Sequence, residues 1–291
     1  MNLPPPDLPP ESEPDKTPAS SHARRGENPP LSDSPPVREP VSSGSGPAPA
    51  ASRPRSRAPL PDAETIIGMI KDAITYPLRG GGWAAIIPGV VLACLCTLGG
   101  WVPFAGWAVV IGASCYMTAF YFRVIESTVS GKDVLPDWPE FSNFLDDIIL
   151  PGFQMLVIYL VALAPALALA FLGGLHLDSD DSVLGLGEIL IMMSIAAYSP
   201  MGVLGLLHFG TLGAAMPHRV IPAIVRCMPA YLIAAGAVFF ELFANHTVSL
   251  MVGWIPILGS LIEWAVLIYL MIVSGRLIGV MYRQNQAVVG W

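Results

Sequence analysis

Charged residues are scarce in this chain. Asp, Glu, Lys and Arg make up 13% of it, about half the share of an ordinary soluble domain. With 53% hydrophobic residues beside so little charge, the composition argues against a water-soluble globule and for a membrane-embedded one. Basic residues are outnumbered, 15 against 22 acids, so no patch suited to nucleic acid is expected. Cysteine is limited to four residues. Cys94 and Cys96 lie two apart in an apolar run, where a helix points them about 200° away from each other, and Cys115 and Cys227 stand alone. All four read as small buried hydrophobes, with no disulfide, metal or cofactor expected. Enzyme signatures are missing too: there is no GxSxG elbow, no HExxH pair and no glycine-rich phosphate loop, and the five histidines are scattered. The chain is therefore read as non-enzymatic.

What is present is uneven. Residues 1–60 hold 16 of the 29 prolines, with seven basic and seven acidic residues. Such a neutral, proline-rich segment has too little apolar surface to offset its ordering entropy, and it is read as a disordered cytoplasmic tail. Its start, MNLPPPDLPP, has no basic and apolar signal pattern, so the tail is expected to be retained. Runs such as PPPDLPP make it a candidate site for cytoplasmic protein partners through polyproline II segments. In residues 61–80, Ile66, Ile70 and Ile74 stand four apart, with Asp62, Glu64, Lys71 and Asp72 mostly elsewhere on the wheel. That spacing predicts an amphipathic helix at the membrane surface.

Residues 81–285 are read as an all-α, polytopic transmembrane bundle. A span needs about 20 mostly apolar residues, and six stretches meet or approach this: Trp83 to Gly99, Phe104 to Ile125, Pro151 to Leu172, Gly185 to Ala215, Met228 to Val252 and Ile257 to Gly279. Pro200 predicts a kink in the fourth. With six spans and the amino terminus inside, Lys71, Arg79, Arg123, Lys132, Arg219, Arg226, Arg276 and Arg283 all fall on the cytoplasmic side. The three outer connections carry no Lys or Arg, which places both termini in the cytoplasm of an inner membrane. Small residues four apart (Ala85, Gly89 and Ala93; Ala108 and Gly112; Ala162, Ala166 and Ala170; Ala230 and Ala234) predict close helix packing.

The segment DAITYPLRGGGW before the first span, then YFRVIESTVSGKDVLPDWPEF and LDDIILPG after the second, resemble an uncharacterised prokaryotic membrane family, domain of unknown function 4013. The matching parts are YP-x-R, the Arg closing the second helix, and Gly, Leu-Pro-Asp-Trp, Phe and Asp in the loop after it. The resemblance covers residues 65 to about 285, and its second half matches only as apolar spans. It implies a polytopic prokaryotic membrane protein and brings no activity or site residues with it.

Three groups of residues stand out. The loop carrying Leu135, Pro136, Asp137, Trp138, Phe141, Asp146 and Asp147 alternates aromatics with acids, and is read as lying at the headgroups with its acids offered to cytoplasmic partners. Glu241 and Glu263 are carboxylates within apolar spans, where each costs roughly 2.5–3.5 kcal/mol to insert. Counted from Gly253 they fall at similar depth, so they could share a proton with His246 nearby. The alternative ends the fifth span near Phe243 and leaves Glu241 at the outer headgroups. Lastly, GWVPFAG at Gly100 recurs as GWIPILG at Gly253, and a slide of 153 residues also aligns Tyr116 with Tyr269 and Arg123 with Arg276. Trp101, Trp254, Arg123 and Arg276 are read as interfacial anchors, Trp101 and Trp254 at two outer hairpin turns and Arg123 and Arg276 at the inner ends of the helices that follow them. Two functions fit these features: a non-enzymatic scaffold or accessory subunit, and a small-solute or ion transporter using the carboxylates of the last hairpin.

Overall fold

A computed structural model describes residues 62–79, 82–99, 105–173, 185–255 and 258–291. The expected tail at 1–60, Trp101 and most of the first GWxPxxG turn lie outside these residues, so the comparison of the two turns does too. Among the described residues there are eight α-helices and no strands. They are α1 (Ala63–Thr75), α2 (Trp83–Gly99), α3 (Ala105–Val129), α4 (Leu150–Gly173), α5 (Leu186–Phe209), α6 (Pro217–Arg226), α7 (Met228–Val252) and α8 (Leu258–Val289).

Helices α3, α4, α5, α7 and α8 are each long and apolar enough to cross a bilayer, and α2, with α1 ahead of it, brings the number to as many as six. The outside of the bundle is correspondingly apolar, with Phe171, Leu172 and Trp107 among its most exposed side chains. α5 runs unbroken through Pro200 and stops at Gly210, whose φ of 65° closes the helix in the left-handed region. The expected fourth span to Ala215 is therefore shorter. A 3-10 turn then leads into α6, an amphipathic helix that buries Val220 and Ala223 and is too short and too polar on its outer side to read as an apolar run.

Most of the small-residue stripes pack. Ala85, Ala93, the three alanines of α4 and both of α7 are buried, whereas Ala108 is exposed and Gly112 has open space beside it. Close approaches also join α3 and α8, which run in the same direction. A Cβ on Gly275 would lie 3.2 Å from Tyr121 and Val124, and one on Gly279 would lie 2.5 Å from Thr128.

The connection from α3 to α4 corrects the expected headgroup loop. Gly131, at φ 78°, reverses the chain, which then returns alongside α3: Lys132 N–H bonds the Ser127 carbonyl, Arg123 donates to the Trp138 carbonyl at 3.4 Å, and Tyr116 donates to the Pro139 carbonyl at 3.1 Å. Trp138 is inserted into the bundle. Its ring stacks on Phe120 at 4.1 Å and on Tyr116 at 5.1 Å, and its indole N–H donates to the Ala85 carbonyl at 2.9 Å. Gly89 of α2 lies directly against the indole, where a side chain would clash. Leu135 packs on the same cluster, so Leu135 and Trp138 are internal residues, while Asp137, Phe141 and Asp146 remain exposed and Asp147 is half-buried. The reason is directional: a chain turning back at Gly131 points its alternating aromatics at α2 and α3.

Trp138→Ala removes both stacks and the indole bond, and is expected to cost about 3 kcal/mol or more. Trp138→Phe should lose less. Thermal unfolding in detergent, monitored for both variants, checks the order.

Candidate functional site

Two buried polar nodes sit on consecutive faces of α8. In the first, Ser274 Oγ donates to Glu241 Oε2 of α7 at 2.5 Å, and Met271 O of its own helix lies 3.1 Å away as a second acceptor. Tyr121 of α3 is buried within reach of both Glu241 and Ser274, and Tyr159 of α4 lies within electrostatic range of the carboxylate. Three neighbouring helices thus surround one carboxylate, and the hydroxyl that hydrogen-bonds it is that of Ser274. Among the described residues no Lys or Arg pairs with it. α7 continues to Val252, so the helix does not end near Phe243 as the alternative had it.

The pairing of Glu241 with Glu263 does not hold. Ser274 lies eleven residues beyond Glu263 on α8, a rise of about 16 Å, so the two carboxylates occupy different levels and share no proton. The physical reason is turn length. α7 ends at Val252, α8 begins only at Leu258, and Gly259 packs against Val252, so the helices meet in a different register from one counted evenly about Gly253. His246 is also elsewhere: its Nε2 lies 3.9 Å from Glu188 Oε2 in the first turn of α5. Asn245 beside it, one turn beyond Glu241, has a buried Oδ1 with no hydrogen-bond partner. Sequence reasoning misses Ser274, Tyr121, Tyr159 and Glu188, because a hydroxyl or a lone acid in an apolar run carries no signal until register is known.

The second node corrects the reading of Arg276 as an interfacial anchor. Its side chain is 3% exposed. Nε donates to Asp72 Oδ2 at 3.1 Å, Nη1 to the Lys132 carbonyl at 2.9 Å and Nη2 to Asp133 Oδ1 at 2.6 Å, while the guanidinium lies 4.5 Å above the centre of the Tyr76 ring. Tyr76 in turn donates to the Val134 carbonyl at 3.0 Å, and Arg79 bonds Asp72 at 2.5 Å. The YP-x-R segment, the Gly-Lys-Asp loop and α8 are therefore one ionic cluster. Of the other expected anchors, Trp254 is exposed, with its indole N–H on the Met251 carbonyl at 2.8 Å, and half-buried Arg123 holds the returning loop.

Comparison with family models, with curated proteins and with solved structures finds no match to the chain.

Burial pushes the Asp72 carboxyl up, but hydrogen bonds from Arg79 and Arg276 outweigh it and hold the group below the usual carboxylate range. A depressed folded-state value stabilises the fold above the unfolded value, and that contribution is lost as pH falls through the folded one. Asp72→Asn should therefore be less stable than the native chain at neutral pH, with the gap closing below about pH 4, as read by unfolding at a series of pH values. Arg276→Ala should cost about 2 kcal/mol, less than the 3–5 typical of a fully buried pair because Asp133 keeps its water, and Arg276→Lys should restore only part of it. Chemical denaturation of the three proteins in detergent measures this.

Proposed function

We propose that the chain is a polytopic inner-membrane protein of the domain of unknown function 4013 family, with both termini in the cytoplasm, acting as a non-enzymatic scaffold or accessory subunit. The observation that carries this reading is the Arg276 cluster. It fixes α1, the helix to which residues 1–60 are joined, against α8 and the α3–α4 loop. A proline-rich tail leaving a helix held in this way is presented from a fixed point on the membrane surface. The orientation is supported by the gathering of basic residues at this end: Arg79 bonds Asp72, Arg123 holds the loop, Arg226 donates to the Val289 carbonyl at 3.2 Å, and Arg283 reaches Gly131. Charges of this kind are retained on the cytoplasmic face. The family reading is supported by the contacts of the residues that carry the resemblance: buried Tyr76 and half-buried Arg123 and Trp138 bond to other elements, and exposed Arg79 bonds Asp72.

A second reading, a small-solute or ion transporter, has Glu241 in its favour. Carboxylates buried among apolar helices are usually functional, although the loss of Glu263 as a partner leaves a single acid where a relay was expected.

Crosslinking pulldowns from membranes, with and without residues 1–60, test the scaffold. Specific partners should disappear on truncation and weaken with Arg276→Ala; identical partner sets would remove the tail's role. Proton-linked and cation fluxes in proteoliposomes that are unchanged by Glu241→Gln would end the transporter reading.

A further inference from the structure

We propose that Glu241 is a proton-binding site inside the membrane domain, built with Ser274, Tyr121 and Tyr159 and reached from the lipid-facing crevice beneath α1. This does not depend on the scaffold reading. The first argument is hydrogen-bond bookkeeping. Ser274 has one hydroxyl hydrogen and two acceptors, Glu241 Oε2 at 2.5 Å and Met271 O at 3.1 Å. With Glu241 ionised, the hydroxyl donates to the carboxylate. With Glu241 protonated, the acid donates to Ser274 Oγ and the hydroxyl turns to the Met271 carbonyl. One arrangement of heavy atoms thus serves both protonation states, and a single proton is the only species gained or lost.

The second argument is charge. Ser274 of α8 hydrogen-bonds Glu241, and Tyr121 of α3 and Tyr159 of α4 lie within electrostatic range of it. The nearest cation along α8 is Arg276, and its donors are committed to Asp72, Asp133 and Lys132. On α1, Asp72 is held by Arg79 and Arg276. On α5, Glu188 faces His246 farther along α7, the Tyr198 hydroxyl donates to the Ala215 carbonyl, and His208 pairs with Tyr282. A half-buried carboxylate among apolar helices, with one hydroxyl donor and no cation paired to it among the described residues, is stabilised by taking up a proton. Asn245, one turn from Glu241 on α7, has a buried Oδ1 without a hydrogen-bond partner.

The third argument is access. A crevice of about 520 Å³ runs between α1 and the α7–α8 pair, walled by Ile66, Ile70 and Ile74 on one side and by Leu232 and Phe240 on the other, with Ser274 lining it. An apolar opening that ends beside a protonatable acid admits hydrophobic molecules and excludes charged ones.

The test is labelling by dicyclohexylcarbodiimide, a hydrophobic reagent that adds to a carboxylic acid and rearranges to a stable N-acylurea with no atom lost. The full-length protein in detergent or proteoliposomes is treated across a pH series, and the modified residue is located by peptide mass spectrometry. Glu241 should carry the label, with labelling falling as pH rises, and a membrane-impermeant, water-soluble carbodiimide should leave it untouched. Ser274→Ala removes a donor to the ionised form and should extend labelling to higher pH, a shift that simple loosening of the fold would not give. Labelling of Glu188 or Glu263 in place of Glu241, or labelling of Glu241 that does not vary with pH, overturns the proposal. Because the native protein is read directly, the result stands whether or not Glu241→Gln folds.

Discussion

A guanidinium enclosed in an apolar bundle has to be discharged by hydrogen bonds, because the cost of burying it unpaired runs to several kcal/mol. At Arg276 that requirement organises one whole end of the molecule. Its donors reach an acid on α1, an acid and a carbonyl on the α3–α4 connection, and its face rests on Tyr76. None of these partners is on α8 itself. α1 and the loop are therefore required where they are by the charge on α8, and the loop can satisfy it only by reversing at Gly131, where a positive φ is available at no steric cost.

The reversal has a second consequence. Once the chain runs back along α3, Trp138 arrives opposite Phe120 and Ala85, and the space it needs is provided by Gly89. The aromatic stack and the ionic cluster are two ends of one loop, about five residues apart, and each holds the other in register. That accounts for the placing against other elements of Tyr76, Arg123 and Trp138, which as bare sequence are only a scattered motif.

The helices themselves are legible in the sequence because a run of about 20 apolar residues has few other stable fates. All six of the expected spans start within one residue of a helix, from Trp83 to Leu258. α6 is not legible by that criterion, since ten residues with two prolines and one narrow apolar face give no long run. The node partners are hidden for a different reason. Whether Glu241 meets Glu263 or Ser274 depends on how many residues the turn after α7 consumes, and composition says nothing of that. Trp138 is misplaced by its pattern because alternating aromatics and acids look the same in a loop that lies on a surface and in one that enters a bundle. The cue that distinguishes the two is Gly89, a small residue held opposite a large one.

Ser274, Gly275 and Arg276 show how much one turn of α8 is asked to do. Successive residues on a helix point about 100° apart, so the three face α7, α3, and α1 with the loop, in that order. Each position fixes the size of its side chain. Ser274 is short enough to bring its hydroxyl to the carboxylate of Glu241 at 2.5 Å. Gly275 has no side chain because a Cβ would already stand 3.2 Å from Tyr121. Arg276 is long because the acids it must reach are on other elements. Exchanging any two of these residues would break contacts with two neighbours at once. The protonatable acid and the ionic clamp are thus joined through three consecutive residues and the Tyr121 ring, and a movement of α8 that relieved one contact would strain the others.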